Sequence, residues 1–353
     1  MPVIDEYLKE VLSRKGSDLH FLAGDPPRIR LYGDLQPLRP EPLNRDFVQQ
    51  TLYEIMPKVA AKRFEEHDGA DFAYNMGEYG RFRVNIMRHI NGMGAVMRAI
   101  PSKALTLEQL NLPPAIHGLC RANNGLILVT GKTGSGKSTT LAAMIDDINA
   151  RMKGHILTIE DPIEFVHRRK SCLISQREVG VHTKGFAAAL QSGLREDPDV
   201  VLVGELRDFE TISIAVTAAE MGILVMGTLH TNGAAQTVDR MINVFPADKQ
   251  SHVRTMLSTS LRGVVSQQLL QKADKSGRVA ALEIMVNTSA VSNLIRQGKL
   301  DQLETTMQSG SQHGMRTMDS AIEALLNQRI VTGKEAYKKG ISKAKFEPFK
   351  DQG

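Results

Sequence analysis

The stretch Gly131-Lys132-Thr133-Gly134-Ser135-Gly136-Lys137-Ser138-Thr139 constrains this chain more than any other. It matches G-x-x-x-x-G-K-[ST], and its flanks supply the context such a motif requires. Leu126-Ile127-Leu128-Val129 before it reads as a buried strand, and Thr140 to Ile148 after it has helix formers with apolar residues at helical spacing. Strand, glycine loop and helix start make a phosphate cradle. The glycines let backbone N–H groups turn inward, and the helix N-terminus favours anions. Gly131, Thr133, Gly134, Ser135, Gly136 and Thr139 are the expected cradle residues. Lys137, expected to stand in a solvated loop, can reach the β- and γ-phosphates, and the Ser138 hydroxyl can ligate Mg²⁺. The chain is expected to bind a nucleoside triphosphate.

The rest of the sequence divides around that stretch. Residues 1–100 read as a mixed α+β module: an amphipathic helix from Ile4 to Leu12, strands at Leu19–Ala23 and Arg28–Tyr32, and helices near 44–56 and 58–66. Further strands are expected at Asp71–Tyr74, Gly80–Met87 and Gly94–Ile100, the last ending at Pro101. Prolines and a composition shift place a linker at 101–114, where Thr106 and Gln109 have the spacing of a capping box and open a short helix. From 115 to 353 strands alternate with helices. The apolar runs Gly125–Thr130, His155–Glu160, Asp199–Gly204 and Ile223–Thr228 suit an α/β fold with a parallel-rich sheet covered on both faces. After Pro246 the chain reads as mostly helical with one more strand at 279–285, and residues 344–353 as a loose tail.

Phosphoryl transfer needs a metal, a positioned water and positive charge on the phosphates. Glu205 follows the buried run Asp199–Gly204, where the end of a neighbouring parallel strand would aim a carboxylate at the cradle; it is the candidate base for the attacking water. Glu160 and Glu164 flank Pro162 at a second strand end, with Glu164 the alternative base and a candidate Mg²⁺ ligand beside Ser138. His230 closes a third strand end, and Arg195 and Arg207 lie close to the same edge. Arg81, Arg83, Arg88 and Arg98 recur on the last strands of the first module, with Arg81 and Arg83 on one face. Besides an ordinary surface role, these arginines can reach a neighbouring subunit's triphosphate as fingers in trans.

Together these pieces resemble the PilT-like twitching-motility ATPases of the type II/IV secretion ATPase superfamily. The resemblance rests on Gly16-Ser17-Asp18-Leu19-His20, the glycine loop, Thr158 to Glu164, Gln176 to Gly180, Leu194 to Asp199, Gly204 to Asp208 and Gly227 to Thr231. It implies a RecA-like core, a PAS-like N-terminal domain before it and a helical C-terminal region after it. It also implies ATP and Mg²⁺ as cofactors, Glu205 as catalytic glutamate and His230 near the γ-phosphate. The implied assembly is a homohexamer that powers type IV pilus retraction. That ring would be cytoplasmic and peripheral to the inner membrane at the pilus base, working with a platform protein and with other pilus motor ATPases. Two places depart from the pattern. Ile223 stands where a second histidine is usual, and Ala290 to Gln297 lacks the first arginine and final glutamate of the family's Ala-Ile-Arg…Arg-Glu run. An accessory, PilU-like retraction ATPase is the alternative these departures favour.

Composition narrows the remaining choices. Apolar residues at 42% and charged at 24% describe an ordinary globular chain, and no apolar run approaches the about 18 residues of a spanning helix. The start lacks the basic and apolar regions of a signal peptide. Cys120 and Cys172 are the only cysteines, which argues against the paired metal motifs of secretion and extension ATPases and against a disulfide framework. A net charge of +5 is modest, and with 5% aromatics and no Trp the sequence lacks the basic, aromatic-interleaved stripe of a nucleic-acid motor.

Overall fold

Residues 2–31, 34–100 and 104–352 are described by a computed structural model, which divides the chain into two compact units. The expectations at Tyr32, Pro101 and Gly353 lie outside the described residues. The first unit comprises Met1–Lys103 with two later segments, Asp161–Val166 and Glu178–His182. Its helix α1 (Ile4–Ser13) buries Ile4, Tyr7, Leu8 and Val11, which the 3.6-residue repeat places on one face. Then follow β1 (Asp18–Leu22), β2 (Arg28–Leu31), β3 (Asp34–Pro37), α2 (Arg45–Ile55), α3 (Lys58–His67), β4 (Gly69–Asn75), β5 (Arg81–His89) and β6 (Gly92–Ile100). The strands form one sheet in the order β3-β2-β1-β6-β5-β4, with every neighbour antiparallel.

Alternation on β5 decides which face is core. Phe82, Val84 and Ile86 are fully buried, each contributing about 1.5–3 kcal/mol of hydrophobic burial, while Arg81, Arg83 and Asn85 occupy the other face. Strand β3 carries no such alternation to read: all four of its residues are exposed.

The second unit comprises Ala104–Glu160, His167–Arg177 and Thr183–Gly353. Thr106 and Gln109 do make the reciprocal bonds of a capping box, Gln109 N–H to Thr106 Oγ1 at 3.2 Å and Thr106 N–H to Gln109 Oε1 at 2.9 Å. The box closes only a turn, because Asn111 enters the left-handed region at φ 51° and Pro113 follows. The helix expected there is instead α4 (Pro114–Cys120).

Next come β7 (Gly125–Thr130), α5 (Lys137–Arg151), β8 (His155–Glu160), β9 (Leu173–Glu178), α6 (Phe186–Gly193), β10 (Val200–Val203), α7 (Phe209–Glu220) and β11 (Leu224–Leu229). They are followed by α8 (Ala234–Asn243), α9 (Gln250–Ser260), β12 (Leu261–Gln271) and β13 (Arg278–Val286). Helices α10 (Ser289–Gln297), α11 (Leu303–Ser309), α12 (Met318–Asn327), α13 (Gly333–Lys339) and α14 (Lys343–Phe346) complete the chain. The sheet order is β13-β12-β7-β11-β10-β8-β9. From β12 to β8 each pairing is parallel, and β13 closes that edge antiparallel to β12.

Besides β3 in the first unit, two strands of this unit escape the sequence reading. Val253, Leu257 and Leu261 keep helical spacing across the end of α9, so β12 begins inside an apparent helix, and Ser266-Gln267-Gln268 then interrupts its apolar run. At the other edge, β9 is largely polar. The region after Pro246 therefore adds two strands to the sheet before it becomes helical. Strand β10 is also not beside β7; β11 lies between them, so Glu205 follows the second strand from the cradle.

Candidate functional site

The parallel strands end along one edge, and the register shows how far each reaches. Thr130 of β7 pairs with Leu229 of β11, Val203 of β10 with Gly227, and Ile159 of β8 with Val203. Gly131, His230, Gly204 and Glu160 are then the next residues out on four consecutive strands. Gly131 adopts φ 139°, and a Cβ there would lie 2.4 Å from the Gln267 carbonyl oxygen, so only glycine fits this start of the loop. Gly136, at φ 89°, ends the loop and precedes α5.

Lys137 is not solvated. It is buried, and its Nζ donates to the carbonyls of Gly131 at 2.8 Å and Lys132 at 3.3 Å. The ammonium therefore sits across the mouth of the loop, where a phosphate oxygen would compete for it. Ser135 Oγ is buried with no hydrogen-bond partner among the described residues. A buried hydroxyl with an unused donor is the feature expected where a phosphate oxygen completes the site. Ser138 and Thr139 stand half-buried at the start of α5, and Lys132, Thr133 and Gly134 are exposed.

Sequence reasoning missed Gln267. Its Nε2 donates to the Ser135 carbonyl at 2.7 Å, and its Oε1 accepts from Thr140 Oγ1 at 2.7 Å. Both bonds are buried, so this amide fixes the loop to the first turn of α5. The available signal was a run of three polar residues within an apolar stretch, Val264-Val265-Ser266-Gln267-Gln268-Leu269-Leu270.

Glu205 is held from three sides. The Gly204 N–H bonds to Ile159 O at 2.7 Å, the Leu206 N–H to Thr228 O at 2.9 Å, and Thr228 Oγ1 donates to Gly204 O at 2.6 Å. Its carboxylate Oε1 pairs with the Arg207 guanidinium and lies 3.3 Å from His230 Nε2. Burial would raise the Glu205 pKa, but Arg207 and His230 outweigh it and hold the carboxyl below its ordinary value. Glu160 accepts from Thr158 Oγ1 at 2.7 Å and Gln176 Nε2 at 3.3 Å. Arg195 is exposed and donates to Gln191 O at 3.4 Å.

A profile of the family "Type II/IV secretion system protein" matches residues 1–343. The chain belongs to that family. It is similar to the type IV pilus retraction ATPase PilT of Pseudomonas aeruginosa, 49% identical over 95% of this chain and 97% of that one. It is also similar to the type IV pilus ATPase PilU of the same organism, 39% identical over 94% of this chain and 87% of that one. A crystal structure of the pilus retraction motor PilT with bound ADP matches with TM-score 0.91 and 41% identity, covering 99% of each chain. The resemblance drawn from the motifs is thereby confirmed, as is the α/β fold with its parallel-rich sheet.

In this member of the type II/IV secretion family the remaining candidates fall in the first unit. Glu164 belongs to its Asp161–Val166 segment and shares no unit with Ser138, Lys137 or Glu205. Arg81 Nη2 donates to Glu178 Oε2 at 2.5 Å, and the same oxygen accepts from the Ile163 N–H at 3.1 Å. Arg98 Nε bonds to Asp18 Oδ1 at 2.8 Å, Arg88 Nε to Asp68 Oδ1 at 2.6 Å, and Arg83 Nε lies 3.8 Å from Asp71 Oδ1. Arg83 and Arg98 face each other directly across β5 and β6. Each of these arginines thus has a carboxylate partner in its own unit.

Proposed function

We propose that this chain is a ring-forming ATPase motor that hydrolyses ATP to drive retraction of a type IV pilus. The observation that carries the reading is one sheet edge bearing both the Lys137 cradle and the Glu205–His230 pair. In this reading the glycine loop, Ser135 and Lys137 bind the β- and γ-phosphates, and Lys137 exchanges its loop carbonyls for phosphate oxygens. Ser138 and the nucleotide's own phosphates supply hard oxygen donors that suit Mg²⁺, which when bound neutralises charge on the phosphates. Arg207 and His230 both meet Glu205 on Oε1 and fix the carboxylate that would accept a hydrogen bond from the attacking water. A carboxylate with a depressed pKa orients and polarises water better than it deprotonates it, and a loose phosphoryl-transfer transition state asks for little more.

Retraction is favoured over the accessory role by the identities of 49% to PilT and 39% to PilU within one organism. The accessory reading keeps two observations, Ile223 and the altered run Ala290–Gln297 on α10. The proposed partners are five further copies of the chain and an inner-membrane platform protein, with the ring on the cytoplasmic face. No helix among the described residues is long and apolar enough to cross a membrane.

The test pairs chemistry with work. Glu205→Gln should bind ATP yet hydrolyse it about 10²-fold more slowly, the scale of losing one group that positions and polarises the attacking water. The wild-type chain should restore retraction to a strain lacking its own motor, and Glu205→Gln should not. Full hydrolysis by the variant would place that role elsewhere. Hydrolysis without restored retraction would favour the accessory role.

A further inference from the structure

A cavity of about 360 Å³ adjoins the glycine loop within the second unit. It shares Lys132 with the loop and Asn232 with the turn that follows His230, so it is continuous with the cradle edge. Gln268 of β12, the buried carboxylate of Glu283, and Lys338 and Lys339 from the last turn of α13 also line it. Its volume lies within the usual range of ligand sites.

The charges are unbalanced in one direction. Among the described residues no hydrogen bond or ion pair engages the Lys132, Lys338 or Lys339 ammonium group. Lysines near a helix C-terminus often serve its carbonyls. Here that work is already done by Lys343, whose Nζ reaches Tyr337 O at 2.7 Å and Lys338 O and Gly340 O at 3.0 Å. The one carboxylate in the lining is turned to the backbone: Glu283 Oε1 accepts from the Ala234 N–H at 2.6 Å and Oε2 from the Met318 N–H at 3.1 Å. Those amides open α8 and α12, so Glu283 compensates two helix N-termini and leaves the lysines uncompensated.

We propose that this cavity is a second anion site that takes inorganic phosphate, held by Lys338 and Lys339 with Lys132 at the border with the cradle. This deepens the ATPase reading, because a phosphate released at the loop has this cavity as its next basic surface. The phosphate can come from hydrolysis or from bulk solution; the chemistry of recognition is the same.

Equilibrium dialysis of radiolabelled inorganic phosphate against the full chain tests the site without turnover. Wild type and Lys137→Ala should both bind phosphate, and Lys338→Ala/Lys339→Ala should bind it at least about a hundredfold more weakly, each charge-assisted contact being worth about a factor of ten. Lys338→Arg/Lys339→Arg should restore binding if charge is what matters, and unchanged thermal melting should accompany each variant. Phosphate binding lost in Lys137→Ala but kept in the double alanine variant would place phosphate in the cradle alone and overturn the proposal. Equal binding by all variants, or by none, would overturn it as well.

A phosphate-sensor time course separates the sources. Slow release after hydrolysis that disappears in Lys338→Ala/Lys339→Ala marks product phosphate; binding by dialysis without a slow phase marks bulk phosphate, and either agrees with the site. A chain that binds phosphate through these lysines but never hydrolyses ATP would sink the proposed function and leave the cavity site standing.

Discussion

The edge of the parallel sheet and the outer face of the antiparallel sheet both display charged side chains, but in different states of engagement. At the parallel edge Lys137 rests on backbone carbonyls, Ser135 Oγ has no partner among the described residues, and Glu205 meets Arg207 and His230 through Oε1. On the antiparallel face Arg81, Arg98 and Arg83 each meet a carboxylate of their own unit. Charge density alone does not separate the two regions. What separates them is how much hydrogen-bonding capacity remains after the fold has met its own needs. At the site the exchangeable groups are a lysine and a hydroxyl on a glycine loop, whereas on the antiparallel face the guanidiniums are committed to carboxylates, with Arg81 Nε the one buried nitrogen of theirs that lacks a partner among the described residues. Substitutions can break or sharpen that contrast.

The largest effect is expected at Lys137. Lys137→Ala should lower ATP hydrolysis by about 10³, the upper range for removing one preorganised donor from a charged transition state. Because the ammonium also bonds two loop carbonyls, the variant should lose some order in the loop as well as catalysis. Steady-state hydrolysis with nucleotide binding in parallel checks this; a rate near wild type would remove the cradle from the mechanism.

Arg81 should show the opposite balance, a change in stability. Glu178 is nearly fully buried, and Arg81→Ala would leave its carboxylate without the guanidinium, with the Ile163 N–H still donating to it. Breaking a fully buried pair costs about 3–5 kcal/mol; with Arg81 still 21% exposed, about 2–4 kcal/mol is expected. Denaturant titration measures the loss, and Glu178→Gln in the same background should recover part of it. A stable Arg81→Ala with impaired hydrolysis would move Arg81 from the structural face to the site.

Gln267 tests the contrast from within the core. Gln267→Leu keeps much of the side-chain volume but strands Ser135 O and Thr140 Oγ1 in a buried place. A cost of about 2 kcal/mol follows from leaving such groups unpaired. Nucleotide affinity should fall too, because the loop loses its tie to β12. Gln267→Glu, which retains the acceptor for Thr140 and loses the donor to Ser135, should fall between wild type and Gln267→Leu.

The same contrast explains what could be read from the sequence. Runs such as Gly125–Thr130 and His155–Glu160 are apolar throughout because both faces are covered, so their strands and the loop after β7 were legible. Strand β12 was not, since its start continues the helical spacing of α9 and Gln267 reads as an interruption. The tie from Gln267 to Ser135 spans 132 residues, and no local pattern encodes a partner that far away. Glu205 and His230 were legible as strand ends, but their contact depends on the order β11-β10, which parallel connections do not fix locally. The arginines were visible as charges, whereas Asp18, Asp68, Asp71 and Glu178 became their partners only through folding.

Arg83 gives the smallest expected stability change and the sharpest decision. Its contact with Asp71 is 3.8 Å long and both side chains are about half exposed, so the pair contributes about 0–0.5 kcal/mol. Arg98 faces it across the sheet, and removing one of two like charges returns a similar amount. Arg83→Ala should therefore melt like wild type. Its catalytic effect then isolates the question of a finger in trans, which is worth on the order of 10³–10⁵ in rate. If Arg83 serves a neighbour's triphosphate, Arg83→Ala rings and Lys137→Ala rings are each silent, and mixing their subunits restores interfaces with both halves intact. Activity should rise above both parents and peak at an intermediate mixing ratio. If Arg83 only completes the charge pattern of its own sheet, Arg83→Ala hydrolyses ATP at the wild-type rate and mixing adds nothing. The paired measurement works because stability stays fixed while catalysis moves, a separation that Arg81, with its buried partner, does not allow.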